Sequence, residues 1–147
     1  MNLTSKKKVM PYSIEDLIPQ RAPIQMVDVL VRASEDEAVC QYTVKDGNFF
    51  IESDGRLSEV ALIEHIAQSA SAHAGWKARE TGATEAPIGY IGEVKNFHLY
   101  QRPKVGDVLE TVVSMGPEVQ GVTLMRGETR VGGEIVADTQ MKIYVPE

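Results

Sequence analysis

Ser58-Glu-Val-Ala-Leu-Ile-Glu64-His-Ile-Ala-Gln68-Ser-Ala-Ser-Ala-His-Ala-Gly75-Trp76 is the stretch on which the reading of the whole chain depends. It contains no proline, and its residues are helix formers or small. Apolar Val60, Ile63, Ala67, Ala70 and Ala74 recur at three- and four-residue steps, the period of a helix. Ser58 suits the N-cap, where its hydroxyl can accept from a free N–H of the first turn, and Glu59 suits the positive end of the dipole. Gly82, just past Lys77 and Arg79, is the expected stop. Leu62, Ile63 and Ile66 make one side apolar, while Ala67, Ala70, Ala72 and Ala74 keep the second half narrow. Another backbone can therefore come close, which predicts a helix lying against or inside a sheet. Glu64 and Gln68 stand four residues apart on one face. A carboxylate on such an element must be desolvated, hydrogen-bonded or facing a cavity.

The remaining composition narrows the class. At 147 residues the chain is long enough for one domain with a real core, taken as residues 11–147 behind a flexible N-terminus at 1–10. A net charge of -6 argues against nucleic-acid binding, because no basic stripe is present to meet phosphates. Lys6-Lys7-Lys8, the one basic run, reads as part of the solvated N-terminus. No apolar segment is long enough to span a bilayer, and nothing before Met10 resembles a signal peptide. Cys40 is alone and cannot form an internal disulfide, so a cytoplasmic protein without membrane contact is expected.

Outward from the helix, turn chemistry sets the order of elements. Ser13-Ile-Glu-Asp16 is a capping-box pattern and predicts a short helix ahead of Pro19. Ile24 to Ala33 and Ala38 to Val44 read as a hairpin about the polar turn Ser34-Glu-Asp-Glu37. Lys45 to Leu57 is a connection into the long helix. After a loop at Thr81 to Ala86, Pro87 opens a strand running to Tyr100, with Gly92 as a bulge or a close backbone approach. Arg102 to Asp107 is a turn, Val108 to Met115 a strand, Gly116-Pro117 a turn, and Val119 to Val131 a strand. Gly132-Gly133 has two-residue hairpin chemistry and returns the chain through Glu134 to Val145. The sum is an α+β layout in which an antiparallel sheet wraps one long helix.

Several of these stretches together resemble the hotdog-fold 3-hydroxyacyl-acyl-carrier-protein dehydratases. Ile18-Pro-Gln-Arg-Ala-Pro-Ile-Gln-Met-Val-Asp28 is similar to the family's opening "PHR-x-P" and "VD". Leu62-Ile-Glu64-His-Ile-Ala-Gln68 looks like its central-helix "EAMAQ". Tyr90-Ile-Gly-Glu-Val-Lys-Asn-Phe97 and Arg102-Pro-Lys-Val-Gly-Asp107 look like its "FLG…F" and "RPVxPGD". The pieces fall in the family's order over roughly residues 12–145. Within the family, the dehydratase-like proteins of aryl-polyene-type clusters, with their shortened pre-helix loop, are the most similar. The departures are specific: Phe50 stands where the catalytic histidine of "GHFP" belongs, and Gln20 replaces the histidine of the opening motif.

The resemblance implies a hotdog fold, a dimer or higher homo-oligomer, and dehydration of a 3-hydroxyacyl thioester. No cofactor is implied; the substrate itself is carried on the phosphopantetheine of acyl carrier protein or on coenzyme A. That chemistry needs a base for the α-proton, an acid for the departing hydroxyl, and N–H donors for the thioester oxygen. Glu64 carries over as the helix carboxylate and Gln68 as its hydrogen-bonding partner. Gly92, Phe50, Ile91 and Val60 are assigned to substrate binding. In the family, histidine and carboxylate come from different protomers. A chain with Glu64 and no such histidine could complete the site of a histidine-bearing paralogue in a heterodimer. A non-catalytic hotdog subunit and an acyl thioesterase are the alternatives.

The other candidates read more plainly. His65 is about 100° around the helix from Glu64 and should face the sheet or an interface instead of the same pocket. His73 lies more than two turns further on, and His98 should face solvent or a dimer partner. Three scattered histidines give no metal site. Cys40 reads as a core thiol, and Trp76 and Tyr90 as core or tunnel wall.

Overall fold

A computed structural model describes residues 11–85 and 89–144, with the backbone alone at Tyr90. The N-terminus with Lys6-Lys7-Lys8, the strand opening at Pro87, the Tyr90 side chain and Val145 lie outside the described residues. The elements in order are α1 (Ile14–Leu17), β1 (Val29–Ala33), β2 (Glu37–Thr43), α2 (Glu59–Glu80), β3 (Tyr90–Leu99), β4 (Val108–Val119), β5 (Val122–Val131) and β6 (Glu134–Tyr144). The six strands make one sheet in the order β1-β2-β4-β5-β6-β3, with every neighbouring pair antiparallel. The helix lies across β1, β2, β4 and β5. This is the wrapped-helix layout expected from the sequence. None of the described helices is long and apolar enough to cross a membrane.

The caps explain why α2 begins and ends where it does. Ser58 Oγ accepts from Ala61 N–H at 3.3 Å, and the chain leaves the helix at Gly82, whose φ of +99° suits glycine. The 22 residues between make a rod of about 33 Å. Its packed side differs from the stripe the spacing suggested. Val60 is 59% exposed, and Ile63, Ala67 and Ala74 are only half-buried. The buried residues are Ala61, Leu62, His65, Ile66, Gln68, Ser69, Ala70, Ala72, His73 and Gly75, so of the expected stripe only Ala70 is fully packed. The sheet accommodates this side through one small residue: a Cβ on Gly127 of β5 would lie within contact range of Ile66 Cγ2. Gly75 does the same for α1, since a Cβ there would meet the Leu17 carbonyl oxygen.

Two expected turns resolve differently. Gly116-Pro117 is no reversal; β4 runs through it to Val119, and only the register with β5 breaks, between Met115 and Glu118. Proline has no N–H for the ladder, so the dipeptide makes an irregularity instead of a turn. The chain reverses at Gln120-Gly121, with φ of 53° and 80°, the paired positive angles that match strand twist. Gly132-Gly133, at 59° and 86°, is the hairpin expected. β1 starts at Val29 instead of Ile24, because the backbone of Ile24 and Met26 is committed to side chains of α2.

Candidate active site

Gln68 is fully buried, and its amide is saturated. Oε1 accepts from Met26 N–H at 2.6 Å; Nε2 donates to Ile24 O at 3.0 Å and to Glu64 Oε2 at 2.8 Å. The orientation is chemically determined. A backbone N–H can only donate, so the amide oxygen must face Met26, which turns both amide hydrogens toward the two acceptors. Gln68 thus does two things at once: it pins the segment ahead of β1, and it fixes one oxygen of Glu64. Glu64 itself is half-buried, and no other hydrogen bond reaches it among the described residues. A carboxylate held by one oxygen keeps the other available to a further hydrogen-bond partner.

His65 is placed where the helical angle predicts, against the sheet. It is fully buried, with Nδ1 2.7 Å from Met26 O and Nε2 2.7 Å from Thr111 Oγ1. The carbonyl can only accept, so Nδ1 carries the hydrogen and Nε2 accepts from Thr111. Thr111 Oγ1 in turn lies 2.7 Å from Thr129 Oγ1, extending the chain of bonds across β4 and β5. Burial drives the imidazole pKa down to about 4, against smaller upward pulls from Met26 and Asp28. His65 is therefore a neutral strut whose lone pair is already used. Together Gln68 and His65 grip Met26 by its N–H and its C=O. No local pattern signals this grip, because neither residue's partner is near it in the chain.

The loop before α2 is strapped from the other side by Arg102. Its guanidinium donates to Asp54 Oδ2 at 2.7 Å and Oδ1 at 3.0 Å, to Glu52 Oε1 at 2.7 Å, and to Leu57 O at 2.8 Å. The Arg102 hydrogen bond holds the Asp54 carboxyl below the usual carboxylate range. Leu57 N–H is returned to Pro103 O at 2.8 Å. On this loop, Phe50 donates its N–H to Asn48 Oδ1 at 2.7 Å and accepts from Ser58 N–H at 2.9 Å. Its half-buried ring packs on the cluster of Leu57, Ala61 and Leu62 and meets Phe49 edge-on. The position holds an apolar ring with no proton to transfer. Asp28 of the opening motif is likewise structural, taking the Thr43 N–H and the Lys45 ammonium at 2.8 Å each.

Gly92 sits in β3 at a register shift between Ile91 and Glu93, so the interruption is a bulge; a Cβ there would be in ordinary contact with Lys142 O. Ile91 is 39% exposed on this edge strand, and Val60 is exposed at the start of α2. His73 bonds Ser34 O, and the exposed His98 bonds Asp138 Oδ1 at 2.9 Å; neither addresses Glu64. Cys40 is buried, with its thiol pushed up to about 12 by desolvation. Trp76 is half-buried against the core. Among the described residues no group of three His, Cys, Asp or Glu could hold a metal ion. The site accordingly offers an oriented carboxylate, and the chain's three histidines all point elsewhere.

Known proteins resemble this chain in sequence and in shape. The dehydratase FabZ of Lactobacillus helveticus (strain DPC 4571), which acts on 3-hydroxyacyl-[acyl-carrier-protein], is 25% identical over 139 residues, 91% of each chain. Among solved structures, the dehydratase heterocomplex ApeI:P from Xenorhabdus doucetiae superposes with a TM-score of 0.85 at 21% identity, over 94% of this chain and 93% of that one. A hypothetical thioesterase protein with coenzyme A from Streptococcus pneumoniae TIGR4 gives 0.65 at 12% identity, over 80% and 84%. These structural likenesses carry the hotdog fold. The family model described as ApeP dehydratase matches residues 12–147, and the chain therefore belongs to the ApeP-like dehydratase family.

Proposed function

We propose that this chain supplies the carboxylate half of a 3-hydroxyacyl-thioester dehydratase, and that a second hotdog chain supplies the histidine base. The substrate in this reading is an acyl group on the phosphopantetheine arm of acyl carrier protein. One observation carries the proposal: Glu64 is held ready by Gln68, yet no imidazole of the same chain faces it. In the reaction the base takes the α-proton, the C–H electron pair becomes the new double bond, and the β-hydroxyl leaves as water on receiving a proton. Glu64, entering the step as the carboxylic acid, hydrogen-bonds that hydroxyl and protonates it, and the proton taken by the base restores it after water leaves. A bonded and oriented acid loses little entropy in doing so.

Support for a second chain comes from what is left uncovered. Among the described residues β3 ends the sheet with one side of its backbone unpaired, and Ile91 and Val94 on it are 39% and 37% exposed. Val60, at 59% exposed, and half-buried Ile63 and Ala67 flank Glu64 on the helix. A second hotdog chain would cover this surface. The ApeI:P assembly is a dehydratase heterocomplex, which makes a histidine-bearing paralogue the partner to seek.

The test is dehydration of a 3-hydroxyacyl-carrier-protein substrate by the chain alone, by a histidine-bearing hotdog paralogue mixed with it, and by the mixture with Glu64→Gln. Turnover is expected only in the mixture, with a drop of about 100-fold or more in Glu64→Gln while the complex stays intact by size exclusion. An unchanged rate in that variant would overturn the proposal. Turnover by the chain alone would remove the need for a partner, and release of free acid would make it a thioesterase.

A further inference from the structure

We propose that His65, although turned toward the sheet, is a positioning residue for Glu64, acting through Met26 and Gln68. The kinetic half of this inference rests on the reading of Glu64 given above; the structural half does not. His65 and Gln68 stand three positions apart on α2 and are therefore neighbours on one ridge of the helix, and Met26 is bonded to both. Met26 lies ahead of the first ladder pair of β1, Val29 with Gln41. Among the described residues its backbone finds its partners in these two side chains alone. His65 Nδ1 donates to the Met26 C=O at 2.7 Å, and the Met26 N–H donates to Gln68 Oε1 at 2.6 Å.

The far end of this chain of bonds is anchored in the sheet. Because Nδ1 bears the hydrogen, Nε2 accepts from Thr111 Oγ1 at 2.7 Å, and Thr111 must in turn accept from Thr129 Oγ1, 2.7 Å away. Thr129, Thr111, His65 and Gln68 are all fully buried. Each hydrogen has one possible place, so the bonds run from β5 to the helix with a fixed direction. Gln68 aims Nε2 at Glu64 Oε2 because Ile24 O and the Met26 N–H lie 3.0 and 2.6 Å from its amide. Both groups belong to the segment that His65 holds against the sheet. Without the imidazole, the Met26 C=O is left buried with no donor, which is costly enough to make the segment shift. The Gln68 amide then loses the two groups that orient it, and Glu64 loses its fixed oxygen.

The test compares His65→Phe, which keeps a ring and loses both bonds, with His65→Asn, which returns an amide N–H near the place of Nδ1. The first readout is the Gln68 side-chain NH₂ signal in the ¹⁵N-labelled chain alone. The second is kcat and KM for dehydration in the mixture with a histidine-bearing paralogue. In His65→Phe the Gln68 signals should move and exchange faster with solvent, and kcat should fall about 10- to 100-fold with KM within about twofold of wild type. His65→Asn should recover most of both. A residue that only stabilised the fold would lower the unfolding midpoint and leave both readouts alone in the folded protein. Unchanged Gln68 signals in folded His65→Phe, an unchanged kcat in an active mixture, or no recovery in His65→Asn would each overturn the proposal. Should His65→Phe not fold, Thr111→Val takes its place: it removes the donor to Nε2, and unchanged Gln68 signals again count against the proposal. Absence of turnover in the wild-type mixture would defeat the dehydratase reading alone, and the Gln68 signals would then decide the positioning role.

Discussion

Replacing Gln68 by glutamate changes one NH₂ into an oxygen, and the structure says what that atom would meet. Its neighbours are Ile24 O at 3.0 Å and Glu64 Oε2 at 2.8 Å, both acceptors. Only Met26 N–H, at 2.6 Å from the other oxygen, remains a donor. Two carboxyls this close in a buried place must share a proton, so the pair gives up its last proton late. Taking the rise in that pKa as about 3, the loss at 1.36 kcal/mol for each is roughly 4 kcal/mol. The sign follows from proton counting. Between the unfolded glutamate pKa, about 4.3, and the raised folded one, the native state binds the extra proton, so stability falls as pH rises. Gln68→Met is the control: it loses the bonds to Met26, Ile24 and Glu64 alike but carries no charge, costing about 2–4 kcal/mol at every pH. Urea unfolding of both variants from pH 4.5 to 8, followed by Trp76 fluorescence, separates the two effects. The midpoint of Gln68→Glu should fall steadily relative to that of Gln68→Met as pH rises. If Gln68→Glu tracks Gln68→Met throughout, Gln68 does not hold Glu64 as described.

Other consequences follow from neighbouring contacts. His65→Gln should flatten the acid limb of stability: burial holds the native imidazole pKa at about 4, and the ordinary value of about 6.5 in the unfolded chain makes about 3 kcal/mol disappear as pH falls between them. The difference between wild type and variant in urea unfolding measures it. Gly75→Ala should lower stability by about 1–3 kcal/mol, because its Cβ would collide with the Leu17 backbone; a normal unfolding midpoint would contradict the close approach of α1. Cys40, with its thiol raised to about 12, should react with a thiol reagent at pH 8 only as fast as the protein opens, a rate that urea accelerates.

The long helix and its limits, the order of the elements and the Gly132-Gly133 hairpin were legible without coordinates, because the sequence carries them in local signals: spacing, capping and turn chemistry. It also placed Glu64 beside Gln68, since a four-residue step on a helix needs no tertiary information, and it turned His65 away from them for the same reason. What it left undecided belongs to contacts between distant segments. Val60, Ile63 and Ala67 form as good an apolar stripe as the one that packs, and only the fit of Ile66 over Gly127 and of His65 on Thr111 chooses the inward face. β1 loses its first residues because Gln68 and His65 claim Ile24 and Met26 from about forty positions away. Gly116-Pro117 carries turn chemistry but lies within a ladder that the neighbouring strand continues on either side, so cooperative pairing overrides the local preference.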